Sequence, residues 1–148
     1  DLDVHQGNGT AAILQNDASI FTLSIHGENN FPFKKEQSDL DVGLADGCND
    51  AVYLDSLGGA LDQLDSYFKA DFLIFLAGAD PHEGDRLGRL EISKDGMRLR
   101  DEMVFQYALE RQLPVAFSMA GGYGKEIEST VDIHFQTIKT ALQFQKQY

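Results

Sequence analysis

The first five residues of the chain include three side chains that can bind a metal ion. In an extended strand alternate side chains face the same way, so Asp1, Asp3 and His5 would share one face opposite two apolar residues. Two acids and an imidazole on one face are typical of a strand whose polar side holds a cation. An exposed strand end with scattered polar residues would show the same pattern, and Asp-x-His alone favours that simpler interpretation.

Further polar residues follow two strands that are predicted later in the chain. Asp80 comes just after an apolar run, and Tyr123 lies in a glycine-rich turn just after another. In parallel α/β sheets, ligands bind at the carboxyl ends of the strands. A catalytic zinc ion takes three nitrogen or oxygen ligands and leaves one position open for water. The sequence therefore predicts a metal centre formed by Asp3, His5 and Asp80, with Tyr123 placed to donate a hydrogen bond to a bound oxyanion.

The segments that must position these residues alternate between strand-like and helix-like patterns, which predicts an α/β domain with a parallel sheet. The predicted strands are 1–5, 20–25, 52–57, 72–77 and 115–119, and the predicted helices are 10–14, 60–68, a segment from the N-cap Ser93 to about Arg111, and 129–145. Residues 29–45 are predicted to form a long surface loop. The apolar run 72–77 is expected to be a strand buried on both faces, and 115–119 another buried strand.

Composition and charge exclude several classes of protein. Of 148 residues, 43% are hydrophobic and 24% charged, as in ordinary globular proteins, and the net charge is −12. This charge argues against nucleic acid or an anionic membrane as a partner. The single cysteine, Cys48, excludes an internal disulfide framework and fits a reducing compartment, so we expect a cytoplasmic protein. The sequence shows no signal peptide and no apolar run of membrane-spanning length, and we expect one domain or part of one.

Three motifs occur in order along the chain. They are Asp1–Gly9 (DLDVHQGNG), Ala77–Gly88 (AGADPHEGDRLG) and Gly121–Tyr123 (GGY). Together they resemble the histone deacetylase family of the arginase/deacetylase superfold, and most closely its class IV branch and the bacterial relatives of that branch. The resemblance implies a parallel-sheet, three-layer α/β/α fold truncated at the N-terminus. Residues 1–148 would then be the C-terminal part of a single deacetylase catalytic domain.

The resemblance also implies roles for individual residues. Asp3, His5 and Asp80 match the Zn²⁺ ligands of the family, and Tyr123 matches the tyrosine that supports the substrate carbonyl and the tetrahedral oxyanion. Asp1 matches the carboxylate that hydrogen-bonds one histidine of a catalytic pair.

Three further positions match family sites. Asn8 stands where class I members carry an aspartate that orients the second histidine of the pair. Phe31 and Leu87 match walls of the tunnel that admits an acylated lysine. A structural K⁺ site would be formed by Asp1, by the carbonyls of Asp3 and His5, by the Ser24 side chain and by the Ile25 carbonyl.

The catalytic histidine pair of the family is expected upstream of this chain. The four histidines present are His5, His26, His82 and His134, and none is adjacent to another. His26 and His134 are interpreted as packed or structural, and His82 as lining the pocket mouth. Because a positioned base contributes about 10²–10⁴-fold to such reactions, the 148 residues alone are expected to be inactive, although the parent protein should be an enzyme.

The function implied by the resemblance is that of a zinc-dependent amide hydrolase that removes acetyl or longer acyl groups from lysine side chains of peptides. A small-molecule deacetylase acting on acylated polyamines and a truncated, inactive binding module are the alternatives. A ureohydrolase of the same superfold ranks last, since it would need a second metal site. The pair Asp85-Arg86 is interpreted equally well as a buried structural pair or as a substrate contact. Exposed sheet edges would make self-association possible.

Overall fold

The computed structural model describes residues 1–147, which form four helices and four strands arranged as two parallel pairs. In chain order the elements are α1 (Asn8–Leu14), β1 (Leu23–Gly27), β2 (Leu40–Leu44), α2 (Asp50–Tyr67), β3 (Leu73–Ala77), α3 (Lys94–Glu110), β4 (Val115–Met119) and α4 (Ile127–Gln145). Strand β1 pairs with β2, with Leu23 opposite Leu40, and β3 pairs with β4, with Leu73 opposite Val115. The predicted α/β class with parallel strands is confirmed.

Residues 1–5 lie between the two strand pairs. The Asp1 amino group donates to the Leu23 carbonyl on β1 (2.7 Å), and the Leu2 N–H donates to the Leu76 carbonyl on β3 (3.1 Å). These bonds place the N-terminal segment in the same layer as both pairs. The order across this layer is therefore β2, β1, residues 1–5, β3 and β4.

The predicted strand at residues 1–5 is nevertheless wrong, because the segment does not continue a regular ladder. The N–H groups of Asp3 and His5 donate to the carboxylates of Asp1 (3.1 Å) and Asp3 (2.9 Å), and the Val4 N–H donates to Asp80 Oδ1 (2.8 Å). Side-chain carboxylates thus replace the neighbouring strands as acceptors. The predicted alternation survives, since Leu2 and Val4 are buried and the polar residues are half-buried.

Helix α2 corrects a second prediction, since residues 52–57 were expected to form a strand. The Asn49 side chain caps the helix by accepting a hydrogen bond from the Val52 N–H (3.2 Å). The buried residues of α2 recur at intervals of three and four, namely Tyr53, Leu57, Ala60 and Leu64. Such a stripe is the pattern of a helix packed on one face. The predicted helix 60–68 is the second half of this longer element.

Strand β2 lies inside the segment that was predicted to be a long loop. Leu40 and Val42 pack against the core and Leu44 is buried, whereas Asp41 faces away from the core. This alternation of period two is short and is interrupted by polar residues, which is why the surrounding loop composition concealed it.

Local signals place the remaining elements well. Strand β4 has the predicted bounds, and β3 begins one residue after its predicted start. Ser93 caps α3 as predicted, since its side chain accepts a hydrogen bond from the Gly96 N–H (3.0 Å). Strand β1 begins three residues later than predicted, and helices α1 and α4 each begin two residues earlier than predicted. No described helix is long and apolar enough to cross a membrane.

The hydrophobic core lies between the strands and helices α2, α3 and α4, and includes Ile25, Phe75, Tyr53, Phe105 and Ile133. The opposite face of β3 and β4 is open, since Ile74 is 68% exposed and Ala116 and Ser118, which share its face on β4, are exposed as well. The prediction of strands buried on both faces is therefore wrong for β3 and β4, because no described element packs over Ile74. Self-association through this apolar surface stays a prediction.

Candidate metal centre

Asp80 lies in the loop just after β3 and has a side chain with no solvent exposure. Its Oδ1 accepts the Val4 N–H (2.8 Å). Its Oδ2 lies 3.2 Å from Nδ1 of His5, which is within ion-pair distance, yet it receives no hydrogen bond from residues 1–147. Because Nδ1 carries a single proton, which it gives to another carboxylate, Asp80 Oδ2 is a buried acceptor without a donor.

Asp3 is the carboxylate that receives the proton of His5 Nδ1. Its Oδ1 lies 2.9 Å from Nδ1, and its Oδ2 accepts the Gly121 N–H (2.7 Å) from the turn after β4. One ligand atom from each of Asp3, His5 and Asp80 lies within 4.8 Å of the other two. The structure therefore brings together the three residues that the sequence predicted as ligands.

Glycines allow the backbone to approach these carboxylates closely. A β-carbon on Gly78 would lie 2.8 Å from Asp3 Oδ2 and 2.9 Å from Asp80 Oδ1. A β-carbon on Gly121 would collide with both carboxylates. The glycine-rich turn after β4 is thus required for the Asp3 and Asp80 side chains to meet.

The pKa values of Asp3, His5 and Asp80 reflect two carboxylates that share one imidazole. The hydrogen bond to Asp3 and then the neighbouring Asp80 carboxylate raise the pKa of His5 to about 10. Burial opposes ionisation of Asp3, but hydrogen bonds from His5 and Gly121 outweigh it and hold the Asp3 pKa below its usual value. Burial raises the pKa of Asp80. A proton on His5 thus supplies positive charge between the carboxylates, at a place that a metal ion could take instead.

The donor set fits a divalent ion that accepts nitrogen and carboxylate oxygen. Zn²⁺ binds both atom types, and three protein ligands leave a position for water. The buried Asp80 Oδ2 without a donor supports this fit, since such an atom is costly unless a cation pairs with it. Among residues 1–147, no other group of three acidic, histidine or cysteine side chains has this geometry.

Tyr123 is held by its backbone, whereas its side chain is 54% exposed. Its N–H donates to Asp85 Oδ2 (2.6 Å), and its carbonyl accepts from Arg86 Nε (3.1 Å). Asp85 Oδ1 also accepts the N–H groups of Leu87 (2.7 Å) and Gly88 (2.8 Å). Asp85 is therefore buried against backbone N–H groups rather than paired with Arg86, and it fastens the loop after Asp80 to the turn that carries Tyr123.

Two of the predicted monovalent-cation residues, Asp1 and Ser24, border Gly7. The Ser24 hydroxyl is buried, lies 3.0 Å from His26 Nδ1 and accepts the Gly7 N–H (3.3 Å). The Asp1 carboxylate also borders Gly7, since a β-carbon there would lie 2.5 Å from Asp1 Oδ2. The Ile25 N–H donates to the Asp1 carbonyl (3.1 Å). Asp1 and Ser24 thus face the same small region around Gly7.

Asn8 begins helix α1, and its N–H donates to the Gln6 carbonyl (2.7 Å). Gln6 is buried, and its amide binds both the N–H (2.9 Å) and the carbonyl (2.7 Å) of Glu36. It also donates to Asp41 Oδ1 (2.9 Å). Gln6 therefore anchors the loop that leads into β2, a role that no local sequence pattern indicated.

Phe31 and Leu87, the predicted tunnel walls, are both more than half exposed. Asn30, which precedes Phe31, is buried, and its Nδ2 donates to the Leu87 carbonyl (2.9 Å). Its Oδ1 accepts the Arg89 N–H (3.2 Å). Asn30 therefore ties the two wall-bearing loops together across 57 residues of sequence, which the sequence analysis missed.

The other three histidines lie outside the metal trio. His26 is buried beside Ser24, and Nδ1 of His82 accepts the Gly84 N–H (3.0 Å). His134 lies half-buried on α4. Burial lowers the pKa of each of these imidazoles, which favours the neutral form.

Comparisons with known proteins identify the family of this chain. The model of the histone deacetylase domain matches residues 1–138. An uncharacterized protein of Picosynechococcus sp. is 46% identical over 134 residues, which cover 90% of this chain and 45% of that protein. Histone deacetylase 2 of Arabidopsis thaliana is 37% identical over 128 residues, which cover 84% of this chain and 33% of that protein.

Two solved structures share the fold. Acetylpolyamine aminohydrolase from Burkholderia pseudomallei superposes with a TM-score of 0.79 at 22% identity, covering 95% of this chain and 43% of that one. A histone deacetylase homolog from Aquifex aeolicus superposes with a TM-score of 0.78 at 22% identity, covering 93% and 39%. The chain thus spans less than half the length of these relatives. By the match over residues 1–138, the chain belongs to the histone deacetylase family.

Proposed function

We propose that the parent protein of this chain is a zinc-dependent deacylase that hydrolyses acetyl or longer acyl amides of lysine side chains. The observation that carries the proposal is the buried Asp80 Oδ2, which has no donor and lies beside His5 and Asp3 in a member of the histone deacetylase family. A carboxylate oxygen in this position is stabilised best by a bound cation.

Each residue of the site has a task in the proposed reaction. Asp3, His5 and Asp80 would hold zinc, which when bound polarises an acyl carbonyl and lowers the pKa of water to about 7. Tyr123 donates a hydrogen bond to the oxygen that becomes negative as the amide carbon turns tetrahedral. Asp85 fixes the backbone that carries Tyr123. The proton acceptor would be a histidine pair in the parent protein, because the four histidines of this chain are not adjacent.

The same reasoning extends to the fragment and to the second cation. We propose that the 148 residues alone do not turn over acyl-lysine at an enzyme-like rate, since they supply no paired histidine base. We further propose that the region bounded by Asp1, Ser24 and Ile25, with the carbonyls of Asp3 and His5, holds a structural K⁺ ion. The side-chain oxygens of Asp1 and Ser24 are ligands that would suit a hard monovalent cation.

Acylated polyamines are the second candidate substrates. The net charge of −12 would attract a polycation as well as a lysine-rich peptide. The fold is shared with an acetylpolyamine aminohydrolase, although at 22% identity. The 37% identity to a plant histone deacetylase favours the acylated lysine as the substrate.

The test is a deacylation assay on the full-length protein. The substrates are acetyl-lysine peptides, long-acyl-lysine peptides and acetylated polyamines. Activity should disappear on chelation and return with Zn²⁺. Tyr123→Phe should lower kcat about 10²–10³-fold, the usual loss for one oxyanion donor. Tyr67→Phe, at an exposed tyrosine on α2, is the matched control and should be unchanged. Activity that survives complete chelation would contradict the proposal, and inactivity on every substrate would favour the binding-module alternative.

A further inference from the structure

Arg100 on α3 is a fully buried charge in the middle of the hydrophobic core. A buried guanidinium is costly unless its charge is paired and its N–H groups are hydrogen-bonded. Its neighbour Asp101 is buried as well, and the two lie among apolar residues of α3 such as Met97 and Val104. In the sequence, a pair of charged residues on the otherwise apolar stripe of a predicted helix is the signal that could have indicated a buried Arg100.

The guanidinium binds the backbone of both segments that carry metal ligands. Nη1 donates to the Gly78 carbonyl (2.6 Å) and to the Leu2 carbonyl (3.3 Å). Leu2 immediately precedes Asp3, and Gly78 lies two residues before Asp80. One nitrogen of Arg100 therefore joins the two chain segments whose carboxylates must converge.

The guanidinium is itself fixed from three sides. Its Nε donates to Asp101 Oδ1 (2.9 Å), and the Thr137 hydroxyl on α4 donates to Asp101 Oδ2 (2.6 Å). The guanidinium carbon lies 5.6 Å from the centre of the Phe75 ring on β3. Because Asp101 on α3 and Phe75 on β3 contact the guanidinium, and α4 holds Asp101 in turn, its two carbonyl contacts have little freedom to move.

We propose that Arg100 is a positioning residue that sets the separation between Asp3 and Asp80, through the carbonyls of Leu2 and Gly78. This inference rests on the proposed metal centre. Asp80 Oδ2 and His5 Nδ1 can share a metal only if the two segments stay at their present distance. A lysine at this position would retain the charge, but it could not bind two carbonyls and Asp101 with the planar geometry of a guanidinium.

A purely structural role for Arg100 predicts a different result. Loss of core stability alone would lower the free energy of unfolding without changing the metal site of the molecules that remain folded. A positioning role predicts that the folded molecules bind metal more weakly and with altered geometry. The two roles therefore separate when metal binding is measured on folded protein.

The experiment uses the full-length protein with Arg100→Lys and, as the milder change, Thr137→Val, which frees Asp101 without altering the guanidinium. Arg98→Lys is the matched control, since Arg98 lies on the same helix and pairs with Asp95 and Glu102 near the surface. Zn²⁺ affinity is measured by competition with a chelating dye, site geometry by the visible spectrum of the Co²⁺ form, and folding by circular dichroism.

We expect Arg100→Lys to lower Zn²⁺ affinity about 10–100-fold, as removal of supporting groups does at other metal sites, and to shift the Co²⁺ spectrum. Thr137→Val should change both in the same direction by less, and Arg98→Lys should match wild type. Wild-type affinity and spectrum in folded Arg100→Lys, or in Thr137→Val if the lysine variant does not fold, would overturn the inference alone. A wild-type protein that binds no Zn²⁺ would overturn the proposed metal centre together with it.

Discussion

Two carboxylates at opposite ends of the parallel strands have opposite surroundings. At the amino ends, Asp65 at the end of α2 accepts hydrogen bonds from the Tyr107 hydroxyl (2.7 Å) and from Arg111 Nε (2.9 Å). The Arg111 hydrogen bonds lower the pKa of Asp65, so that this carboxylate is satisfied and ionised. At the carboxyl ends, Asp80 is fully buried, burial raises its pKa, and its Oδ2 has no donor.

The difference lies in the balance of charges around each carboxylate. Asp65 meets a guanidinium that binds it through two nitrogens, so the pair is nearly neutral in itself. Asp80 and Asp3 share one imidazole, so the charge of a protonated His5 is divided between two carboxylates. A carboxylate that the fold has already paired stabilises structure, whereas one that is left in excess attracts a cation from solution.

The largest effect is expected for Asp80→Asn. This change removes one of the three proposed ligands. We expect Zn²⁺ affinity to fall by more than about 100-fold, which exceeds the usual loss when a residue that only supports a ligand is removed. The metal-free protein should lose little stability, because the amide oxygen can still accept the Val4 N–H. Dye competition and chemical denaturation measure the two quantities. Asp65→Asn is the control at the other end, and a matching loss of metal affinity there would break the comparison.

A smaller effect is expected for Asp85→Asn. Both oxygens of the Asp85 carboxylate accept backbone N–H groups. In asparagine an NH2 group replaces one oxygen, and it cannot accept the N–H of Tyr123 or, in the other orientation, the N–H groups of Leu87 and Gly88. Displacement of Tyr123 should lower deacylation of acyl-lysine by the full-length protein about 10–100-fold. Zn²⁺ affinity should stay close to wild type. Arg86→Ala, which removes a neighbouring exposed contact, should have little effect, and equal losses in both variants would contradict this role for Asp85.

The pH dependence of stability should differ between the metal-free and metal-bound proteins. The His5 pKa is about 10 in the folded chain and about 6.5 when unfolded, so its contribution to stability is complete below pH 6.5. That contribution is lost as the pH rises from 6.5 toward 10. We therefore expect the free energy of unfolding with EDTA to fall over this range. Denaturation curves at several pH values test this, with His5→Gln, which should remove the slope, as control.

With Zn²⁺ present, the free energy of unfolding should instead rise with pH, because His5 must lose its proton to bind the metal. Between pH 6 and 8, apparent Zn²⁺ affinity should rise about tenfold per pH unit as one proton is displaced. An affinity that does not change with pH would show that His5 is not a ligand.

The smallest effect is expected at the amino ends of the strands. Arg111→Met should lower the free energy of unfolding by roughly 0.5–1 kcal/mol, the range of partly exposed ion pairs. It should leave Zn²⁺ affinity and deacylation unchanged, because Asp65 and Arg111 do not contact the metal trio. Denaturation in low and high salt measures the effect, which salt should reduce. A loss that salt does not reduce would mean that the pair acts by packing rather than by charge.

The sequence alone determined much of the site. Asp3 and His5 are two residues apart in an extended segment, and Asp80 comes shortly after the end of a strongly apolar strand, so a parallel arrangement had to bring them to one edge. The bounds of β4 and the Ser93 cap were equally predictable. In each case the signal lies within a few residues, in the spacing of apolar side chains or in the identity of a capping residue.

Only the tertiary structure decided the groups that hold this site in place. Arg100 meets Leu2 across 98 residues of sequence, and Asn30 meets Leu87 across 57. Residues 1–5 do not form the predicted strand for the same reason. The Val4 N–H donates to the side chain of Asp80, 76 residues away, instead of to a neighbouring strand. Hydrogen bonds between distant segments depend on how the elements pack, and no local periodicity records which donor will meet which acceptor.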